Sequence, residues 1–207
     1  MRERKRIGID FDNTLIDYDA VFVTHARALG LVDANFRGGK DDVRAAVRAL
    51  PAGEEQWQQL QGQVYGRGIK DAVMFEGADT FLRRARDAGH EIVIVSHKTQ
   101  FGHADAAGVD LRDAARAWMS RNRFFGEDGF GIRPENVCFE TTRSEKIERI
   151  ARLSCTHFID DLPEVLDDPS FPAGVTKVLF TNGRRPDCVG RGDAFAHWGD
   201  IAEMVLR

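Results

Sequence analysis

Two aspartates one residue apart, Asp10 and Asp12, follow the apolar run Ile7, Gly8, Ile9, and Asn13 and Thr14 come directly after them. Alternation along an extended backbone puts Ile7 and Ile9 on one face of a buried strand, with Gly8 weakening its interior. Asp10 then stands where that strand ends. In open α/β sheets ligands collect beyond the carboxyl ends of the strands, so acids at this place are candidates for chemistry. Taken alone, the segment reads equally as a polar turn after a strand, because short motifs match by chance.

An aspartate can attack a phosphoryl group and form an aspartyl phosphate, but it must approach a dianion and therefore needs a cation beside it. The rest of the chain contains suitable companions. Ser96 closes a second apolar run, Ile92 to Val95; Lys146 opens a helix-like segment; Asp160 and Asp161 follow a third run, Phe158 and Ile159. Lys146 by itself reads as a solvated helix lysine, and its place between Ser96 and the acid pair is what singles it out.

Taken in order, DxDxT, Ser, Lys and Asp-Asp resemble the four motifs of the haloacid dehalogenase superfamily of aspartate-nucleophile phosphohydrolases. The resemblance runs through nearly the whole length, and the opening motif is specific in combination with the later three. It implies an α/β fold: a Rossmann-like, mostly parallel sheet with helices on both faces and a small helical cap inserted after the first strand. Residues 1–15 and 75–207 would form the catalytic core and 16–74 the cap, which in such proteins covers the active site and carries selectivity.

The resemblance also implies roles. Asp10 becomes the nucleophile; Asp12 protonates the leaving oxygen and then deprotonates water, with Thr14 orienting it. Ser96 and Lys146 bind the transferring phosphoryl oxygens, joined by the amide after Ser96, that of His97, and by Asn13. Magnesium is the expected cofactor, held by the Asp10 carboxylate, the Asp12 carbonyl and the Asp160 and Asp161 pair, with Asp161 the direct ligand of the two. The expected activity is hydrolysis of a small-metabolite phosphate monoester. The same residues would serve a phosphomutase, and a binding or regulatory module could keep the fold without turnover.

Composition narrows the partners. The chain has 207 residues, with 29 Lys and Arg against 33 acids and a net charge of −4. That balance argues against a dedicated surface for a nucleic acid polymer, although Arg2, Arg4, Lys5 and Arg6 make the start locally basic. The expected partner is a small-molecule phosphate ester, with neither nucleic acid nor membrane, for a monomer or homodimer. Cys138, Cys155 and Cys188 are widely spaced and lack a CxxC pair, which fits a reducing cytoplasm better than a disulfide or zinc framework. No apolar stretch approaches the about 20 residues that span a bilayer.

Between the first strand and residue 75 the spacing predicts helices through Tyr18 to Leu29, Val43 to Leu50 and Glu54 to Tyr65, and no strand. Tyr18, His25, Arg37, Lys40 and Arg67 are candidates for substrate contact there. A helix through Phe81, Leu82 and Ala85 leads into the run that ends at Ser96, half of a βαβ repeat, which predicts a largely parallel sheet. From residue 97 to 136 the pattern is least clear: a helix from Asp110 to Ser120 with Leu111, Ala115 and Trp118 on one face, then a glycine- and aromatic-rich connection. His97 and His103 give little support to a transition-metal site. Further strands are expected at Val137 to Glu140, Thr156 to Ile159 and Lys177 to Phe180, and a last helix at Ile201 to Leu206.

Overall fold

The computed structural model describes residues 4–102, 108–184 and 193–207. Arg2, His103 and Cys188, named above, lie outside the described residues. The chain divides into two compact units, one of Met1–Ile16, Met74–Lys98 and Arg123–Arg207, the other of Asp17–Val73 and Thr99–Asn122.

The first unit is built on a six-stranded sheet. Its strands are β1 (Arg6–Ile9), β4 (Glu91–His97), β5 (Val137–Glu140), β6 (His157–Asp160), β7 (Thr176–Phe180) and β8 (Ala194–Phe195), in the order β5-β4-β1-β6-β7-β8. All the pairs are parallel. The architecture is therefore α/β and Rossmann-like, as the resemblance implies, with the parallel sheet that the alternation of helix and strand signals predicts. The central strands are buried on both faces, which is why they read as near-continuous β-branched runs. Val93, Val95 and Phe158 pack with Ile147 and Ile150 of helix α6 (Arg143–Arg152) and with Val165 and Leu166 of helix α7 (Pro163–Leu166). Helix α4 (Ala78–Asp87) brings Phe81 to within 5.0 Å, ring centre to ring centre, of Trp198, the first residue of helix α8 (Trp198–Val205).

Gly8 has a reason that alternation does not reveal. A β-carbon there would lie 2.4 Å from Cδ2 of Phe158 and 2.9 Å from Sγ of Cys155, so the Phe158 ring occupies the place of a side chain. The glycine makes room for that ring between β1 and β6.

The second unit is helical. Helices α1 (Asp19–Ala28), α2 (Lys40–Arg48) and α3 (Gly53–Tyr65) match the predicted periodicity within a few residues. Phe22 stacks on Trp57 at 5.1 Å, and Tyr65 meets Tyr18 edge-on at 4.9 Å. Tyr18, offered above as a substrate contact, is thus buried within this unit's own aromatic core. Lys40 holds its ammonium 5.7 Å from the centre of the Tyr65 ring. Two very short strands, β2 (Ile16–Asp17) and β3 (Val73–Met74), pair where the chain passes from one unit to the other. They correct the expectation of no strand in this stretch; two residues are too few for any alternation to register.

The expected boundary also needs one correction. The expected core takes in all of 75–207, whereas Thr99–Asn122 groups with the helical unit. Helix α5 (Leu111–Arg121) buries Leu111, Ala115, Trp118 and Met119, and the Trp118 indole donates to the Ala72 carbonyl at 3.0 Å. An apolar stripe is visible in sequence, whereas the unit that accepts it is set by contacts far along the chain. None of the described helices is long and apolar enough to cross a membrane.

Candidate active site

The backbone carries Asp10 directly off the end of β1. Its amide donates to the Ile159 carbonyl at 2.9 Å, extending the pairing with β6 by one residue and setting Asp10 beside Asp160. The chain then turns tightly. The Phe11 carbonyl accepts from the amides of Leu15 (3.0 Å) and Ile16 (3.2 Å), and the Asn13 amide donates back to Ile16 at 3.0 Å. Asn13 sits at φ 61°, a left-handed conformation that asparagine tolerates better than most residues. This conformation is what lets the loop close.

Lys146 lies at the centre of the cluster. Its Nζ is 2.7 Å from Oδ1 of Asp10 and 2.6 Å from Oδ2 of Asp160, and all three side chains are almost fully buried. Helix α6 delivers it. Thr142 caps that helix by accepting from the Glu145 amide at 3.2 Å, while Glu145 returns to the Thr142 amide at 2.9 Å, which leaves Lys146 one turn inside the N-terminus.

Burial pushes the Asp10 carboxyl up to about 7; the Lys146 ammonium pulls the other way, and the neighbouring Asp160 and Asp12 charges raise it further. Burial works against the Lys146 charge too, but Asp10 and Asp160 more than reverse this and hold it above the ordinary lysine range. Lys146 is therefore a permanent cation, and Asp10 is a carboxylate held in a place that resists its charge.

Each of Asp10, Asp160 and Asp161 offers a carboxylate oxygen within 4.8 Å of the others. Oδ1 of Asp160 accepts from the Leu162 amide at 2.9 Å, so both of its oxygens are engaged by protein donors. Thr14 places its hydroxyl 3.4 Å from Oδ2 of Asp10 and 3.4 Å from Oδ1 of Asp161. Its position between these two acids differs from the expected one beside Asp12. Hard oxygen donors this close fit a hard divalent cation such as magnesium.

Ser96 is fully buried at the end of β4, two residues beyond the Ile94 that pairs with Ile9. Its hydroxyl has no hydrogen-bond partner among the described residues. An orphaned buried hydroxyl costs roughly 1–3 kcal/mol, a penalty that an oxygen-rich ligand would relieve. His97 is exposed, with Nε2 2.8 Å from the Thr141 carbonyl, so its side chain is tied to the loop after β5.

Sequence reading missed Lys98. It is 4 % exposed, its amide donates to the Glu140 carbonyl at 2.9 Å, and its Nζ lies 2.8 Å from Oδ2 of Asp12. A signal was present: alternation returns the residue two beyond Ser96 to the face of Ser96, with His97 opposite. The site thus gathers four carboxylates, of Asp10, Asp12, Asp160 and Asp161, around two ammonium groups. With all the acids ionised that leaves a deficit of two positive charges, the charge of one divalent cation.

No family model matches the chain. By sequence it is related to a UPF0102 protein of Nocardia farcinica, 30% identical over 119 residues that span 58% of this chain and 85% of that relative. Solved structures are similar in fold at low identity. A haloacid dehalogenase-like family hydrolase from Streptococcus pneumoniae superposes with a TM-score of 0.61 at 16% identity, covering 99% of both chains. A predicted phosphatase from Clostridium acetobutylicum gives 0.58 at 11% identity, again over 99% of each. A predicted phosphoglycolate phosphatase from Haemophilus somnus gives 0.56 at 16% identity over the same share of each chain. The parallel sheet, its strand-end acids and these superpositions agree on a haloacid dehalogenase-like fold.

Proposed function

We propose that this protein is a magnesium-dependent phosphomonoesterase that hydrolyses a small-metabolite phosphate ester through an aspartyl phosphate on Asp10. The observation that carries the reading is the position of Asp10, at a strand end, ion-paired to buried Lys146 and adjoining the Asp160–Asp161 pair. Magnesium held by Asp10, Asp161 and the Asp12 carbonyl, with Asp160 behind, would offset the crowded carboxylates and stabilise charge on the phosphoryl oxygens.

The chain's own groups account for the rest. A carboxylate oxygen of Asp10 attacks phosphorus in line with the ester oxygen, the P–O ester bond breaks, and the departing oxygen takes a proton from the Asp12 carboxyl to leave as an alcohol. Asp12, now a carboxylate, takes a proton from water as that water attacks phosphorus. The Asp10–phosphorus bond breaks, inorganic phosphate leaves, and both aspartates return to their starting states. Lys146 and the Ser96 hydroxyl bind the phosphoryl oxygens, in line with the permanent charge of the one and the unmet valence of the other. Asp160 positions Lys146 through Oδ2, 2.6 Å from Nζ.

The test is turnover of a panel of phosphate monoesters with magnesium and with excess chelator, comparing the wild type with Asp10→Asn. The wild type should release phosphate only with the metal, and Asp10→Asn should lose at least about 10³-fold in kcat, the scale on which a covalent nucleophile is missed. Equal rates in the two proteins would remove Asp10 from the chemistry. Phosphate delivered to a second hydroxyl in place of water would make the protein a mutase.

A further inference from the structure

The ion pair between Lys98 and Asp12 adds a residue to this site. We propose that Lys98 is a positioning residue that holds the Asp12 carboxyl group in the orientation needed to protonate the leaving oxygen, and so sets which esters the protein can cleave. The inference rests on the phosphatase reading above and deepens it.

Lys98 is held from two directions. Its backbone is fixed by the Glu140 carbonyl at 2.9 Å, where the chain leaves β4, and its ammonium lies 2.8 Å from Oδ2 of Asp12 and 6.0 Å from the centre of the buried Phe11 ring. The side chain is only 3 % exposed, and that of Asp12 is 16 % exposed. Taking an ammonium out of water is costly, and burying an ion pair commonly gains no net stability over apolar packing. A requirement for geometry explains the pair better than a requirement for stability.

The geometry is specific. A proton donor at the end of a two-bond side chain can rotate about its Cβ–Cγ bond, and a misplacement of about 1 Å can cost 10²-fold in rate. An ammonium on Oδ2 fixes that rotation, and because its N–H groups occupy Oδ2, the transferred proton is assigned to Oδ1. As the P–O ester bond breaks, its electron pair goes to the leaving oxygen, which takes this proton. Esters of weakly acidic alcohols need that transfer, whereas p-nitrophenolate departs without it.

The experiment measures kcat/KM for p-nitrophenyl phosphate and phenyl phosphate with saturating magnesium, in the wild type, Asp12→Asn, Lys98→Met, Lys98→Gln and Lys98→Arg, with a thermal melt of each. This ratio reports the step in which the ester bond breaks. Since general acid catalysis contributes about 10²–10⁴-fold, Lys98→Met should lose at least about tenfold more on phenyl phosphate than on p-nitrophenyl phosphate. Lys98→Gln should do the same, and Lys98→Arg should recover part of the loss. Equal losses on the two esters in Lys98→Met, with a discriminating Asp12→Asn, would overturn the inference and leave the phosphatase reading intact. An Asp12→Asn protein that does not discriminate, or a wild type that cleaves neither ester nor any of the panel, would overturn the reading and the inference together. If neither Lys98→Met nor Lys98→Gln shows a melting transition, Lys98 is a residue of the fold and the inference is wrong.

Discussion

Asp10 is a carboxylate that the fold would prefer to keep neutral, and that preference has a measurable consequence. Its pKa rises from 3.8 to about 7, so the folded chain holds the proton more tightly than the unfolded chain. The contribution to stability is therefore complete below the unfolded value and is lost as pH rises through that value toward about 7. In chelator, Asp10→Asn should gain in melting temperature over the wild type as pH is raised from about 5 to about 8, by an amount equivalent to a few kcal/mol. Adding magnesium should close the gap by stabilising the wild type. A gap that does not vary with pH, followed by thermal melts in matched buffers, would show that Asp10 carries no such burden.

At the scale of the element, β1 serves the site by packing closely on β6. The Phe158 ring fills the space over Gly8, with a prospective β-carbon only 2.4 Å from the ring. Gly8→Ala must push β1 and β6 apart or rotate the ring, and overpacking of this kind costs about 1–3 kcal/mol. Urea denaturation should show that loss at unchanged slope. Because Asp10 and Asp160 leave these two strands at adjacent positions, activity should fall as well. A variant as stable as the wild type would mean that the ring has another rotamer available. Helix α6 shows the same dependence at its other end, where the Thr142 cap sets the turn from which Lys146 reaches two acids.

At the scale of the molecule, the motif loop is tied down by the far end of the chain. The Trp198 indole donates to the Thr14 carbonyl at 3.2 Å, 184 residues away in sequence, and its ring packs on Phe81 and Phe180. Trp198→Phe retains most of the apolar contact and removes the donor, leaving a buried carbonyl unmet at a cost of about 1–3 kcal/mol. A lower melting temperature is expected and, on the proposed phosphatase reading, in which Asp10 and Asp12 of this loop react, a reduced kcat with little change in KM. An unchanged kcat would show that the loop keeps its shape without the indole.

Much of this arrangement is legible along the chain, for physical reasons that differ by residue. Buried parallel strands demand unbroken β-branched runs, and acids, a serine and a helix-borne lysine stand out against them; hence Asp10, Ser96, Lys146, Asp160 and Asp161 were identifiable from order and residue type. Alternation puts Lys98 on the face of Ser96, but a lysine after a strand reads as solvated until the Asp12 carboxylate is seen 2.8 Å from it. The placement of α5 in the helical unit, the glycine under Phe158 and the tie from Trp198 to Thr14 were likewise decided only by the tertiary structure. Local periodicity reports which face of an element is apolar, but partners brought together from distant stretches of chain leave no mark in the spacing of either one.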